Sequence, residues 1–334
     1  MKYYLPLYTP IYKSKDKLCI GFAHLPDKYC EFLYSDDLYN EVKEILYNGT
    51  ENNNNQLLLD GLTKANLIKH NTHRSAVNRG ELFLEYLENN ELDSNVKNCP
   101  ILIFGAGAGG GTLTYLLAQF GFNNITVVDF DTVDKSDVFK TSIYDLSQQG
   151  MMKVDALSSK VKSNFDIDLK SYFFDSQDYL SLKTLIDLVN PAVVVKACDP
   201  DLIFRINMNK ICYENNIAHF HIAYAFEDLK IGPLYIPNFS GCDNCLNLNI
   251  QEIYGEHYDF EGHERLFRDV LIHPSVSFNI NILASLALKE LLFFLTGNVE
   301  NCFSIGRLIE FNPMSLTHRF LEVKKNQFCL ICNP

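Results

Sequence analysis

"ILIFGAGAGGGTLTYLLAQF", residues 101–120, joins an apolar run of strand length to a glycine-rich turn and then to a helix. Ile101 to Phe104 is apolar throughout, as a strand buried on both faces should be. Gly105, Gly107 and Gly110 fit G-x-G-x-x-G, and Leu113, Leu116, Leu117 and Phe120 recur at helical spacing behind them. Glycines in such a turn let a phosphate approach the backbone where the helix N-terminus points its amides. A second apolar run, Ile125 to Val128, ends at Asp129, placed to accept hydrogen bonds from ribose hydroxyls. Together these segments make a mononucleotide half-site in an α/β sheet. Taken alone, the glycine motif reads most simply as the dinucleotide fingerprint of an oxidoreductase.

The residues after Asp129 point elsewhere. "DFDTVDKSDVFK" (129–140) and "GMMK" (150–153) set a basic residue, then a glycine and a lysine, behind the acidic strand end. This order resembles the signature of the ThiF, MoeB and ubiquitin-activating superfamily. The resemblance implies a Rossmann-like domain with a mostly parallel sheet that holds ATP on the glycine turn and adenylates a carboxylate. It implies that Asp129 is the ribose ligand with Asp131 beside it in the nucleotide site, that Lys140 contacts the triphosphate, and that Lys153 stabilises the α-phosphate. Arg79, 26 residues before Gly105, stands where the family places an arginine that reaches into the partner subunit's ATP site. Asp199, at the tip of the strand and helix in "AVVVKACDPDLIFRINMNKIC", matches the magnesium-binding carboxylate, a role compatible with helix N-capping. Arg205 either supports the same loop or is a solvated helix charge.

The chain also departs from that signature. Asp137, Val138, Phe139, Lys140 and Thr141 stand where the family usually has asparagine, leucine, a spacer, arginine and glutamine. Lysine keeps the charge of arginine and loses its bidentate fork, so a looser grip on phosphate is expected. Asp137 is expected to weigh against a triphosphate unless it faces magnesium or solvent.

Ten cysteines occur, and four form C-x-x-C pairs, Cys242 with Cys245 and Cys329 with Cys332. Two such pairs suit one tetrahedral thiolate site. Disulfides are disfavoured because no signal peptide is evident, and a redox pair should close a strand and open a helix. Structural zinc is the expectation, pinning residues 328–333 onto the loop after Pro237. The six cysteines at 19, 30, 99, 198, 212 and 302 read as small core residues. Cys198, beside Asp199, is the one to test as a nucleophile.

The 334 residues are 47% apolar with a formal net charge of -12, a balance that fits a cytoplasmic enzyme and disfavours non-specific binding to nucleic acid or anionic membrane. The most apolar helix, "NINILASLALKELLFFLTG", is interrupted by Lys289 and Glu290 and is expected in a core or dimer interface rather than a bilayer. Before residue 90, strands are expected over Tyr3–Tyr12, Lys17–Phe22 and Tyr29–Tyr34, then helices over Asp36–Tyr47, behind a Ser35 N-cap, and Gln56–Lys69. Such a small α+β module suits a winged-helix-like peptide clamp over residues 1–90, with the adenylation domain over 91–334 and a polar linker at Glu88–Asn98.

A narrower resemblance rests on "GPLYIPNFSGCDNC", "IYGEHYDFEGHERLF" and "CLICN". These are similar to the MccB-like branch of the superfamily, which matures the peptide antibiotic microcin C. That resemblance implies a homodimer, with Arg79 acting in trans, in which the N-terminal module grips a short ribosomal precursor peptide and feeds its C-terminus to ATP and Mg2+. It also implies a crossover loop over Glu252–His273. Pantocin-type side-chain activation with cyclisation, activation of a ubiquitin-like sulfur carrier, and a non-catalytic precursor-binding scaffold remain alternatives.

Overall fold

The computed structural model describes residues 2–51, 55–70, 72, 79–87, 94–199, 202–255 and 274–333. The chain divides into two compact units, residues 1–92 and 93–334.

The first unit holds an antiparallel sheet of β1 (Ile11–Ser14), β2 (Lys17–Gly21) and β3 (Tyr29–Leu33), with helices α1 (Asp36–Tyr47), α2 (Gln56–Lys64) and α3 (Arg79–Tyr86). Leu38, Val42 and Ile45 of α1 share one face by their spacing and bury it with Leu18, Ile20, Leu58 and Leu62. Ser35 caps α1 by accepting the Leu38 amide at 3.1 Å. Two elements are shorter than the sequence suggests. Only Ile11 and Tyr12 of the expected first strand join the ladder, which runs on to Ser14, since Pro6 and Pro10 lack the amide a strand needs, and Tyr3 and Tyr4 make isolated bridges to Thr50 and Lys69. Helix α2 stops at Lys64, and Asn66 turns the chain with φ 49°.

The second unit is built on an eight-stranded sheet ordered β11-β10-β9-β8-β7-β4-β5-β6. Five strands are parallel: β4 (Ile101–Phe104), β5 (Ile125–Asp129), β6 (Lys170–Phe173), β7 (Val193–Lys196) and β8 (Ala218–Ala225). Antiparallel β9 (Asp228–Tyr235), β10 (Arg307–Asn312) and β11 (Thr317–Glu322) extend one edge. The helices are α4 (Ser94–Lys97), α5 (Ala108–Phe120), α6 (Lys135–Lys140), α7 (Lys153–Phe165), α8 (Tyr179–Val189), α9 (Leu202–Glu214), α10 (Asp243–Tyr254) and α11 (Ser277–Leu295). Helix α4 falls inside the stretch expected as linker, of which residues 88–93 lie outside the described residues.

Strand β4 is covered on both faces, which is why its four residues are all apolar. Strand order reverses between β4 and β7, and a ligand crevice is expected beyond the carboxyl ends of strands at such a point. Helix α11 has the length and hydropathy to cross a membrane, yet Leu283, Ala284, Ala287 and Leu291 are almost fully buried, which makes it a core helix.

Candidate nucleotide and metal sites

A cleft of about 650 Å³ opens at that reversal, lined by Gly105, Gly107, Asp129, Asp131, Lys140, Lys153 and Asp199 among others. Six of the expected nucleotide-site residues and one expected magnesium ligand therefore share one cavity. Gly110 sits behind it.

The glycines do different work. Gly105 takes φ +106°, where other residues are strained, and a Cβ there would fall 2.6 Å from the Ala197 carbonyl oxygen. A Cβ at Gly110 would collide with the Gly105 carbonyl oxygen, so this glycine lets α5 close against the turn. At Gly107, the N-cap of α5, an added Cβ meets nothing within 4 Å, which leaves the helix N-terminus open to the cleft.

Asp129 braces the turn. Its carboxylate accepts the Ala106 amide at 2.6 Å and the Asp131 amide at 2.9 Å, which fixes the glycine loop and the segment after β5 together. Each oxygen has further acceptor capacity for a ribose hydroxyl. Tyr144 supports the same turn from beneath by donating to the Ala106 carbonyl, a contact with no motif to announce it.

The separation of "DFDTVDKSDVFK" from "GMMK" has a structural cause. The two segments pair, with the Val133 amide donating to Met151 at 2.8 Å and the Lys153 amide to Asp131 at 2.9 Å. Lys153 then opens α7 with its ammonium 3.1 Å from Asp131 and 3.5 Å from Asp137. Burial opposes its charge, but Asp137, Asp131 and Asp129 outweigh that and hold its pKa above the ordinary lysine value. Asp137 is buried rather than turned to solvent. It closes the capping box of α6 by accepting the Asp134 amide at 2.9 Å, and its carboxylate lies between Lys153 and Lys140, the latter 3.8 Å away. Its charge is thus balanced inside the protein before any phosphate arrives.

Asp199 lies exposed at the cleft rim. Arg79 opens α3 in the N-terminal unit, with its side chain exposed. Arg205 is not a solvated helix charge, since its guanidinium lies 2.9 Å from the buried Asp243 carboxylate. Of the expected crossover loop, only residues 252–255 are described; 256–273, with His257, His263 and His273, lie outside the described residues.

Cys242, Cys245, Cys329 and Cys332 meet as expected from their pairing, all four buried and with their sulfurs within 4.8 Å of one another. The separations are 3.9 Å for Cys242–Cys245, 3.4 Å for Cys242–Cys329 and 3.2 Å for Cys245–Cys332. These are far longer than a disulfide bond and near the ~3.8 Å edge of a tetrahedron with zinc–sulfur bonds of about 2.3 Å. A hydrogen bond from Cys242, opposed by burial, holds the Cys245 pKa below the ordinary thiol value, which favours the thiolate that a cation needs. The donor set therefore fits Zn2+, and it joins the segment after Cys329 to the start of α10.

Residues 84–331 match the profile of the ThiF family. Molybdopterin-synthase adenylyltransferase of Escherichia coli is 22% identical over 241 residues, which are 71% of this chain and 88% of that protein. Adenylyltransferase and sulfurtransferase UBA4 of Vanderwaltozyma polyspora is 30% identical over 93 residues, 28% of this chain and 21% of that protein, so the chain spans about a fifth of that relative. The crystal structure of E. coli MccB with AMPCPP and SeMet MccA shares the fold, with a TM-score of 0.73 at 16% identity over 100% of both chains.

Proposed function

The chain belongs to the ThiF family, and from that premise we propose that it is an ATP-dependent adenylyltransferase acting on a short ribosomally made precursor peptide. The convergence of the glycine turn, Asp129, Lys153 and Asp199 in one cleft supports adenylation. The observation that carries the peptide reading is the N-terminal unit. The family match begins only at residue 84, whereas the likeness to MccB, crystallised with MccA, runs over the whole chain. A carrier-activating enzyme has no use for the first unit, which residues 1–92 fold around a core of their own.

In this reading ATP lies with its ribose at Asp129 and its phosphates over Gly107 and the α5 N-terminus. A peptide carboxylate oxygen attacks the α-phosphorus, the bond from that phosphorus to the bridging oxygen breaks, and pyrophosphate leaves. The step gathers negative charge, so fixed cations are what the protein contributes. Lys153, held charged by Asp131 and Asp137, bears on the α-phosphate. Lys140, and Arg79 from the other subunit of a homodimer, bear on the departing pyrophosphate. Asp199 would hold magnesium, which would supply further positive charge against the phosphates. Zinc at the four cysteines holds structure and takes no part in the chemistry.

Mass spectrometry of any short peptide that a neighbouring open reading frame encodes, after incubation with the protein, ATP and Mg2+, tests the proposal. A gain of one nucleotide monophosphate is the expected result. Loss of water with AMP release would shift the outcome to cyclisation. An unchanged peptide, with adenylation instead of a carrier protein ending in diglycine, would overturn the peptide reading in favour of the sulfur-carrier one.

A further inference from the structure

Between the cysteine centre and the cleft lies a buried polar cluster that neither site requires. Asp243, 3% exposed, stands between Cys242 and Cys245 as the first residue of α10. Its carboxylate lies 2.9 Å from Arg205 Nη2 on α9, accepts the Tyr235 hydroxyl of β9 at 3.1 Å, and comes within 3.4 Å of His221 Nδ1 on β8. Its amide donates to Asn209 Oδ1, one turn after Arg205 on α9, at 3.3 Å. Lys196, at the end of β7, is buried as well, with Asp243 the first charge to support it against desolvation.

Stability does not account for this arrangement. Buried ion pairs are often no better than apolar residues of the same volume. Here both ring nitrogens of His219 and Nε2 of His221 have no hydrogen-bond partner among the described residues, and unpaired buried polar groups cost free energy. Position accounts for it better. Three of the four elements around Asp243 place a neighbouring residue in the cleft wall, β9 with Tyr235 being the exception: Phe204 precedes Arg205 on α9, Ile222 follows His221 on β8, and Ala197 follows Lys196 at the end of β7. Phe204 packs edge-on against Phe104 at 5.1 Å, at the end of the strand that launches the glycine turn. Asp199 lies three residues beyond Lys196.

We propose that Asp243 is a positioning residue that ties the four-cysteine centre to the nucleotide cleft, so that metal binding sets the cleft's affinity for ATP as well as anchoring the C-terminal segment. The inference rests on the reading of the cleft as an ATP site and adds its regulation. Metal at Cys242 and Cys245 fixes the first turn of α10, the first turn fixes the Asp243 carboxylate, and the carboxylate fixes three walls of the cleft.

The test compares wild type with Asp243→Asn and with the milder Tyr235→Phe, all zinc-loaded. Zinc per chain, the dissociation constant of Mg-ATP by calorimetry, and amide hydrogen exchange over residues 196–206 are measured for each. Both variants should keep one zinc per chain. Asp243→Asn should weaken ATP about tenfold, the loss of one charge-assisted hydrogen bond, with Tyr235→Phe in the same direction and smaller. Exchange over 196–206 should quicken in both. Unchanged affinity and exchange with zinc retained would overturn the proposal, as would wild type that keeps its full ATP affinity once its zinc is chelated. Should wild type itself bind no ATP, the nucleotide reading fails, and the exchange comparison alone still decides whether Asp243 governs the cleft.

Discussion

The glycine turn and the four-cysteine centre are put together by opposite means. The turn is drawn almost entirely from one contiguous stretch, Ile101 to Lys153, and its identity lies in backbone conformations and a few charges around an open cleft. The centre draws on two pairs 87 residues apart, and its identity lies in four buried sulfurs. The first site can lose its chemistry and keep its fold, because the sheet beneath it is closed by apolar packing. The second has less support, since beside the thiols only a small apolar cluster with Leu246 and Val323 and a few hydrogen bonds, such as Asn326 Nδ2 to Glu252 at 2.8 Å and Asn249 Nδ2 to the Lys324 carbonyl at 3.0 Å, hold the segment after Val323 to α10. Substitutions should therefore separate the two: activity without stability at one, stability first at the other.

The largest effect is expected at the metal. Structural zinc contributes about 10–16 kcal/mol of binding free energy in small zinc-dependent peptides, and even a fraction of that is a large share of a domain's stability. Cys245→Ser should abolish zinc retention, lower the melting temperature by many degrees and expose the segment after Val323 to protease. A melting temperature equal to wild type would break the contrast at its stronger end.

Next comes Lys153. Its replacement by methionine should lower the rate of adenylation, measured as pyrophosphate exchange, by about 10²–10³, the usual size for one electrostatic donor. Lys153→Arg should recover part of that loss, because Asp131 and Asp137 still find a cation. If Lys153→Met instead melts as early as Cys245→Ser, the charge network is structural and the distinction between the sites collapses. Gly110→Ala should do less: crowding of the Gly105 carbonyl costs about 1–3 kcal/mol, read as a modest drop in melting temperature together with weaker ATP binding.

The same contrast explains what could be read from the sequence. The β4–α5–β5 unit and the cysteine cluster were legible because each depends on residue types with few other uses: glycine where φ is positive or a Cβ collides, and cysteine pairs spaced for one ion. Helix α1 was legible from Ser35 and its apolar spacing. Asp137 was not, because its charge suggested solvent, and only the capping box of α6 turns it inward against Lys153. Arg205 and Asp243 likewise look like surface charges until α9 and α10 bring them together across 38 positions. Strands β8 to β11 carry His219, His221 and a Gly232-Pro233 step, which blur both alternation and apolar runs, so the antiparallel edge emerges only from pairing. Tyr144 gives no local signal at all.

The smallest expected effect is at the one cysteine that lines the cleft. Cys198 adjoins Asp199, where a nucleophile would be well placed to take an activated acyl group. Its environment is the reverse of that at Cys245: burial, with Lys196 as the main opposing influence, pushes its pKa up to about 12, so at neutral pH it is a thiol and not the reactive thiolate. That shift fixes the sign of the linked pH effect. The unfolded chain loses this proton near pH 9 while the folded chain holds it to about 12, so the thiol removes stability as pH rises between those values and contributes nothing below them. Cys198→Ala should accordingly leave pyrophosphate exchange within about twofold of wild type, as expected of a side chain that fills space beside the Gly105 turn and makes no bond to substrate. It should also flatten the alkaline limb of the stability curve. A trapped thioester on Cys198, or a loss of exchange as large as that of Lys153→Met, would mean that the cleft, like the metal centre, works through sulfur.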